Sequence, residues 1–206
     1  MLKIWGRINS INVMKVLWAC DELGLRYERT DAGMAHGVVS SPEYKAMNPN
    51  SRVPTIDDNG FILWESNTIV RYLATQNPTS ALISHSIQGR ADAERWMDWC
   101  TSALQPPMTP LFWQLIRTPA DKREPATIKA THEDTVKMFE IANAHLTGRK
   151  FMLGDKLTVA DIPLGCFTHR YMALAVEHPK MPQLEAWYAR LKERPGYVKH
   201  VALALS

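Results

Sequence analysis

The apolar positions change period within the first 25 residues. Residues 2–7 alternate weakly and end near Gly6, the two-residue period of a strand; then Val13, Val16, Leu17, Cys20 and Leu23 recur at helical spacing, with Gly24 behind them as a stop. The pattern predicts a strand at 2–7 and an amphipathic helix over 10–23. Residues 26–32 read as a second strand and 33–41 as a loop. Ser41-Pro42-Glu43-Tyr44 opens a short helix with proline in its first turn. Asn48-Pro49-Asn50-Ser51 is turn chemistry. A third strand is expected at 53–56, a hairpin turn at Asp57-Asp58-Asn59-Gly60, a fourth strand at 61–64, and a helix from Ser66 to Asn77-Pro78. A β-α-β unit followed by a hairpin predicts a mixed four-stranded sheet.

Beyond a linker at 78–86 the pattern is helical only. A long helix over 87–104 carries Trp96, Trp99, Cys100 and Leu104 inward or at an interface, and Gln105-Pro106-Pro107-Met108-Thr109-Pro110 should break or kink it. Another helix, 126–146, gathers Ile128, Thr135, Met138, Phe139, Ala142 and Leu146 on one face. Thr158 and Asp161 form a variant capping box that opens a further helix. The last helix, 184–194, is expected to end at Pro195-Gly196. The expected organisation is an α/β unit over 1–77, the linker, and an all-helical (all-α) unit over 87–206.

Composition narrows the class. With 206 residues, 46% hydrophobic, the chain can bury a core in one or two domains. No run of 18 apolar residues suggests a membrane helix, and Met1-Leu2-Lys3-Ile4-Trp5-Gly6-Arg7 turns polar too soon for a signal peptide. Three scattered cysteines point to a reducing, cytoplasmic setting without disulfides. The net charge of +3 comes from dispersed basic residues, which argues against a nucleic-acid stripe and suits the steering of a small anion. No Cys/His spacing suggests a metal site.

The candidate chemistry lies where strands meet helices. A helix start is an anion site because its first N–H groups lack intrahelical partners. Glu65 and Ser66 stand at such a start, an acid beside a hydroxyl, and suit a small zwitterionic peptide; Ser66 also reads as a plain N-cap. Ser10 and Asn12 stand at the start of the first helix, where capping is again the competing account.

Three motifs occur in order: Asn48-Pro49-x-x-x-Val53-Pro54, then Glu65-Ser66 before a helix with Ile69 and Tyr72, then Leu157-Thr158-Val159-Ala160-Asp161-Ile162. With this layout the chain resembles the cytosolic glutathione S-transferases over essentially its whole length, and Ser10-Ile11-Asn12-Val13 is most similar to the serine-type branch (theta, phi and bacterial forms). The resemblance implies a thioredoxin-like N-terminal domain followed by an all-helical one. It also implies a cis Val53–Pro54 bond that offers the Val53 N–H and C=O to the cysteinyl unit of glutathione like an added strand. Glu65 and Ser66 would hold the γ-glutamyl group. Arg52 and His36 are candidates for the glycyl carboxylate. Ser10 ranks first and Asn12 second for stabilising the thiolate; no cysteine stands there, so the reacting sulfur is the ligand's own. Lowering a thiol pKa by about two units takes roughly 2.7 kcal/mol. One hydrogen bond to the charged sulfur supplies about 1.5–3 kcal/mol and a helix end about 0.3–1 kcal/mol.

The resemblance further implies a pocket for a hydrophobic electrophile at Met108, Leu111, Phe112 and Leu115, and a homodimer that Trp96 and Trp99 could serve. The implied reaction is conjugation of the glutathione thiolate to electrophilic small molecules, as in detoxification. Glutathione-dependent disulfide reduction, peroxidase-type chemistry and a non-catalytic binding module are the alternatives. Asp161 is assigned to folding, with a capping loss of about 0.5–2 kcal/mol, and Cys20 to inert packing.

Overall fold

The computed structural model describes all 206 residues. Its N-terminal part runs β1 (Leu2–Trp5), α1 (Ile11–Glu22), β2 (Tyr27–Thr30), α2 (Pro42–Met47), β3 (Thr55–Asp58), β4 (Phe61–Trp64) and α3 (Ser66–Gln76). The sheet order is β2-β1-β3-β4. β1 and β2 are parallel, Leu2 opposite Tyr27, while β3 is antiparallel to β1 and to β4. The thioredoxin-like mixed sheet of four strands is therefore present. The third strand starts two residues later than the apolar run suggests: pairing begins at Thr55, opposite Trp5 and Trp64, and the Val53–Pro54 bond before it is cis.

The rest is helical: α4 (Ile87–Trp99), α5 (Gln105–Phe112), α6 (Pro125–His145), α7 (Asp161–Met172), α8 (Pro182–Lys192) and α9 (Pro195–His200). Of the break or kink expected at Gln105–Pro110, the break does not occur; the coil is distorted instead. Cys100–Leu104 widens into a π-helical turn closed by the Gln105 N–H on the Cys100 carbonyl. The coil then resumes with Pro106 and Pro107 in the first turn of α5, where a missing N–H costs nothing. The chain also continues past Pro195-Gly196: Pro195 opens α9 instead of ending the fold.

A single apolar cluster runs through both parts, from Ile4, Val13 and Leu17 to Leu164, Trp187 and Leu191. Helix α1 sits at its centre, packed on α3, α7 and α9. Gly165 of α7 lets the two backbones close: a Cβ there would lie 2.9 Å from the Trp18 ring and from Leu191. At the other end, a Cβ on Gly6 would lie 2.4 Å from Val13. The start of α1 is thus clamped between β1 and the helical part, which fixes Ser10 before the helix and Asn12 in its first turn.

Candidate functional site

Two adjoining cavities open beside the start of α1. One, of about 140 Å³, is walled by Asn12, Lys15, Asn48, Asn50, Arg52, Val53, Pro54, Glu65, Ser66, Asn67, Thr101 and Gln105, almost all polar. The second, of about 370 Å³, lies between the N-terminal part and α5 and α7; Arg7, Ser10, Ile11, Phe112, Arg117 and Arg170 are among its walls. Asn12, Arg52, Val53 and Gln105 face both.

The polar cavity is built from the turn chemistry upward. The Asn48 side chain donates to the Arg52 carbonyl (2.9 Å) and Thr55 Oγ1 (3.0 Å) and accepts from the Asn50 N–H. The Tyr44 hydroxyl donates to the same Arg52 carbonyl at 2.7 Å. These bonds hold the Arg52–Val53 corner against the sheet. Neither the N–H nor the C=O of Val53 bonds to any other group of the protein. Across from it, Glu65 takes the half-in position before α3 with φ +73°, a left-handed backbone unusual for a side-chain-bearing residue. Ser66 is already helical, so the N-cap reading of Ser66 does not hold. Its hydroxyl instead points to Asn12 Oδ1, at 3.3 Å. Asn67 donates to the Met97 carbonyl and Thr101 Oγ1, and its Oδ1 is buried without a partner.

Lys15, which periodicity hides, is the unexpected residue. It is fully buried on α1 one turn beyond Asn12, and its ammonium donates to Asn12 Oδ1 at 3.0 Å and to Ser66 Oγ at 3.5 Å. Burial holds its pKa below the ordinary lysine value. A lysine can only donate. The Asn12 atom facing it is therefore the oxygen, which leaves the Asn12 NH₂ to point away. The sequence does carry the signal, a lone lysine inside Val13-Met14-Lys15-Val16-Leu17 and three places after Asn12.

Ser10 is buried at the start of α1; its carbonyl accepts from the Val13 and Met14 N–H groups, but its hydroxyl makes no capping bond. It faces the second cavity only. Arg52 is exposed and faces both cavities, whereas His36 lies exposed on a 3-10 turn and faces neither. Of the four apolar candidates on the helical side, Phe112 alone lines the second cavity. Met108 and Leu111 are wholly buried in the core, and Leu115 packs partly buried against it. Cys20, Cys100 and Cys166 are free and buried, and burial pushes each thiol up to about 12, which leaves them inert at neutral pH.

The N-terminal glutathione S-transferase domain model matches residues 1–75 and the C-terminal one residues 104–195. Glutathione S-transferase GstB of Escherichia coli strain K12 is 38% identical over 208 residues, covering all of both chains. Glutathione S-transferase 3 of Zea mays is 28% identical over 98% of this chain and 93% of its own. Among solved structures, the theta class glutathione S-transferase of Xanthomonas axonopodis pv. citri with glutathione bound superposes with a TM-score of 0.95 at 42% identity, over 100% of this chain and 99% of that one.

Proposed function

The chain belongs to the glutathione S-transferase family, and on that premise we propose that it holds glutathione in the polar cavity and joins its thiolate to electrophilic small molecules admitted through the second. The observation that carries this reading is Asn12. Its amide lies at the junction of the two cavities, with its oxygen held by Lys15 and Ser66 and its NH₂ free to donate to a sulfur placed there. The buried Lys15 ammonium at the same wall acts through that amide, by holding its oxygen and so its orientation. Ser10 adds a hydroxyl from the side of the second cavity. The sequence ranks Ser10 first; the position of Asn12 at the junction of the two cavities supports giving it the larger share.

The γ-glutamyl ammonium is assigned to Glu65 and the unpartnered Asn67 Oδ1, its carboxylate to Ser66 at the start of α3, and the cysteinyl backbone to Val53. Arg52 serves the glycyl carboxylate. The protein acts as a cytoplasmic homodimer, and the exposed Phe61 ring on edge strand β4, tilted against Tyr72, supports that association. Light scattering that gives the mass of one chain would count against the dimer. The test of the whole reading is ultraviolet titration of bound glutathione: the thiol pKa is expected to fall below its ordinary value, and an unchanged pKa would refute thiolate stabilisation. The assay with an aryl halide beside a small disulfide separates conjugation from disulfide reduction.

Glu65→Gly separates binding from stability. A left-handed backbone costs a non-glycine residue about 1–3 kcal/mol, of which glycine's own chain entropy returns about 0.5–1. Stability in urea is expected to hold or rise, by up to about 2 kcal/mol. Affinity for glutathione falls at least about tenfold in calorimetry, as a charge-assisted bond worth about 1.5–3 kcal/mol is lost.

A further inference from the structure

We propose that the second cavity selects electrophiles that carry a negative charge, typically a carboxylate on an apolar or aromatic body. The inference rests on the transferase reading and names the substrate class of its second site. Four arginines line that cavity. Arg52, shared with the polar cavity, is assigned to the glycyl carboxylate; three further guanidinium groups come from three separate segments: Arg7 from the loop before α1, Arg117 from the turn after α5, and Arg170 from the last turn of α7. No aspartate or glutamate lines it.

The polar contacts of these groups are few. Arg117 donates to Met34 Sδ at 3.3 Å and to the Ser206 backbone oxygen at 2.5 Å, and its Nε is buried without a partner. The Arg170 guanidinium stacks on the Phe112 ring at 3.9 Å and has no carboxylate beside it. Arg7 Nε is likewise buried and unpartnered. Burial pushes the Arg170 guanidinium down to about 10, with Arg117 and Arg7 adding like-charge repulsion, and Arg7 is lowered by burial and by Arg117. Like charges gathered around one cavity with no aspartate or glutamate in its wall carry a stability penalty. An anion in the cavity removes that penalty, and a planar guanidinium meets a carboxylate with two parallel donors. Phe112, Trp113 and Ile11 supply the apolar wall for the rest of the molecule. For an aryl chloride the step is a displacement. The glutathione thiolate forms a C–S bond to the ring carbon, chloride leaves with the C–Cl electron pair, and the thiol proton has already gone to solvent.

The experiment compares chloronitrobenzoate with the corresponding chloronitrobenzamide, a pair that differs in charge but not in the bond that breaks. Each kcat/KM is divided by its uncatalysed rate with glutathione. The wild type is expected to favour the benzoate at least about tenfold, or about 1.4 kcal/mol. Arg7→Gln, which changes a loop residue without a carboxylate partner, and Arg170→Gln should each bring that ratio down about tenfold. A wild-type ratio near one with both partners conjugated overturns the charge selection and leaves the transferase reading standing. So does a ratio that both variants preserve while the KM for glutathione rises, which would give these arginines to glutathione itself. Conjugation of neither partner overturns the transferase reading and this inference with it.

Discussion

Asn12→Ala is expected to lower kcat/KM for conjugation by about ten- to a hundredfold and to raise the thiol pKa of bound glutathione by about one to two, whereas Ser10→Ala costs less than about tenfold. A hydrogen bond to a charged group is worth about 1.5–3 kcal/mol, and each 1.36 kcal/mol is about one pKa unit or one decade of rate. Asn12 stands where the polar cavity meets the second one; Ser10 faces the second alone. The rising limb of the pH–rate profile should therefore move to higher pH in Asn12→Ala, because the thiolate forms later. Ultraviolet titration of the bound thiol reads the same shift without turnover. If Ser10→Ala were the more damaged variant in both assays, the hydroxyl would be the principal donor and the geometric ranking would be wrong.

Lys15 ties into the same measurement. Its ammonium holds Asn12 Oδ1 at 3.0 Å, so Lys15→Met frees the amide to rotate and removes a buried positive charge from the cavity wall. Residues that act through one another lose additivity. The double variant with Asn12→Ala is expected to be little worse than Asn12→Ala alone. Additive losses would mean that Lys15 acts on the thiolate by charge, independently of the amide.

Much of this was legible in the sequence, for reasons that can be named. Val13, Val16, Leu17 and Cys20 place α1 by their helical spacing, but its amphipathic reading does not hold: Val13 to Cys20 are all buried, because the sheet, α3 and the helical part cover α1 all round. The same rule counts Lys15 as a polar, outward residue, and only its tertiary setting, with Asn12 and Ser66 as partners, makes it buried. Proline punctuation held in one place and not in another. Helix α8 ends before Pro195 as expected, although Pro195 opens one more helix, whereas the coil runs on through Pro106 and Pro107 after a wide π turn, and through Pro110. Gly196 then serves close packing, since a Cβ there would lie 3.0 Å from Asp21. Met108, Leu111 and Phe112 look alike as a run of apolar residues. Which of them meets a cavity depends on the rotation of α5 against α6 and α7, which a helix without clear amphipathicity does not reveal. The three arginines were invisible as a group, being 110 and 53 residues apart in sequence from Arg7 to Arg117 and from Arg117 to Arg170.

Asp161→Ala is expected to cost about 4 kcal/mol or more, beyond the capping loss that its motif suggests. Its carboxylate does more than close a turn. Oδ1 accepts from the Met152 N–H and the Trp187 indole at 2.9 Å each, and Oδ2 accepts from the Thr158 N–H and hydroxyl at 2.9 and 3.1 Å. Three segments of the helical part therefore meet at one fully buried residue. A buried donor left without an acceptor costs about 1–3 kcal/mol, and alanine strands several at once. Asp161→Asn tests the geometry at nearly constant volume. Its amide offers one oxygen, so its NH₂ must face either the Met152–Trp187 pair or Thr158, and about half the loss is expected. The pH dependence has a definite sign. Burial pushes the Asp161 carboxyl up to about 6 against the pull of its donors, above the value of about 3.9 in an unfolded chain. Between those values the folded state holds a proton that the unfolded state has released, so this contribution is complete below about pH 4 and is lost as pH rises through about 6. His145, His169 and His200, lowered by burial, contribute the opposite slope to wild type and variant alike. The Asp161 slope is therefore read as the difference between wild type and Asp161→Asn in urea unfolding at about pH 4.5 and about pH 7. A variant that loses under about 1 kcal/mol at both pH values would show that the buried carboxylate is replaceable, and one with the wild-type slope would show that another group titrates. Because α7 carries both this anchor and Arg170, and packs on α1 through Gly165, the loss should reach the site as well: residual activity is expected to fall with the folded fraction.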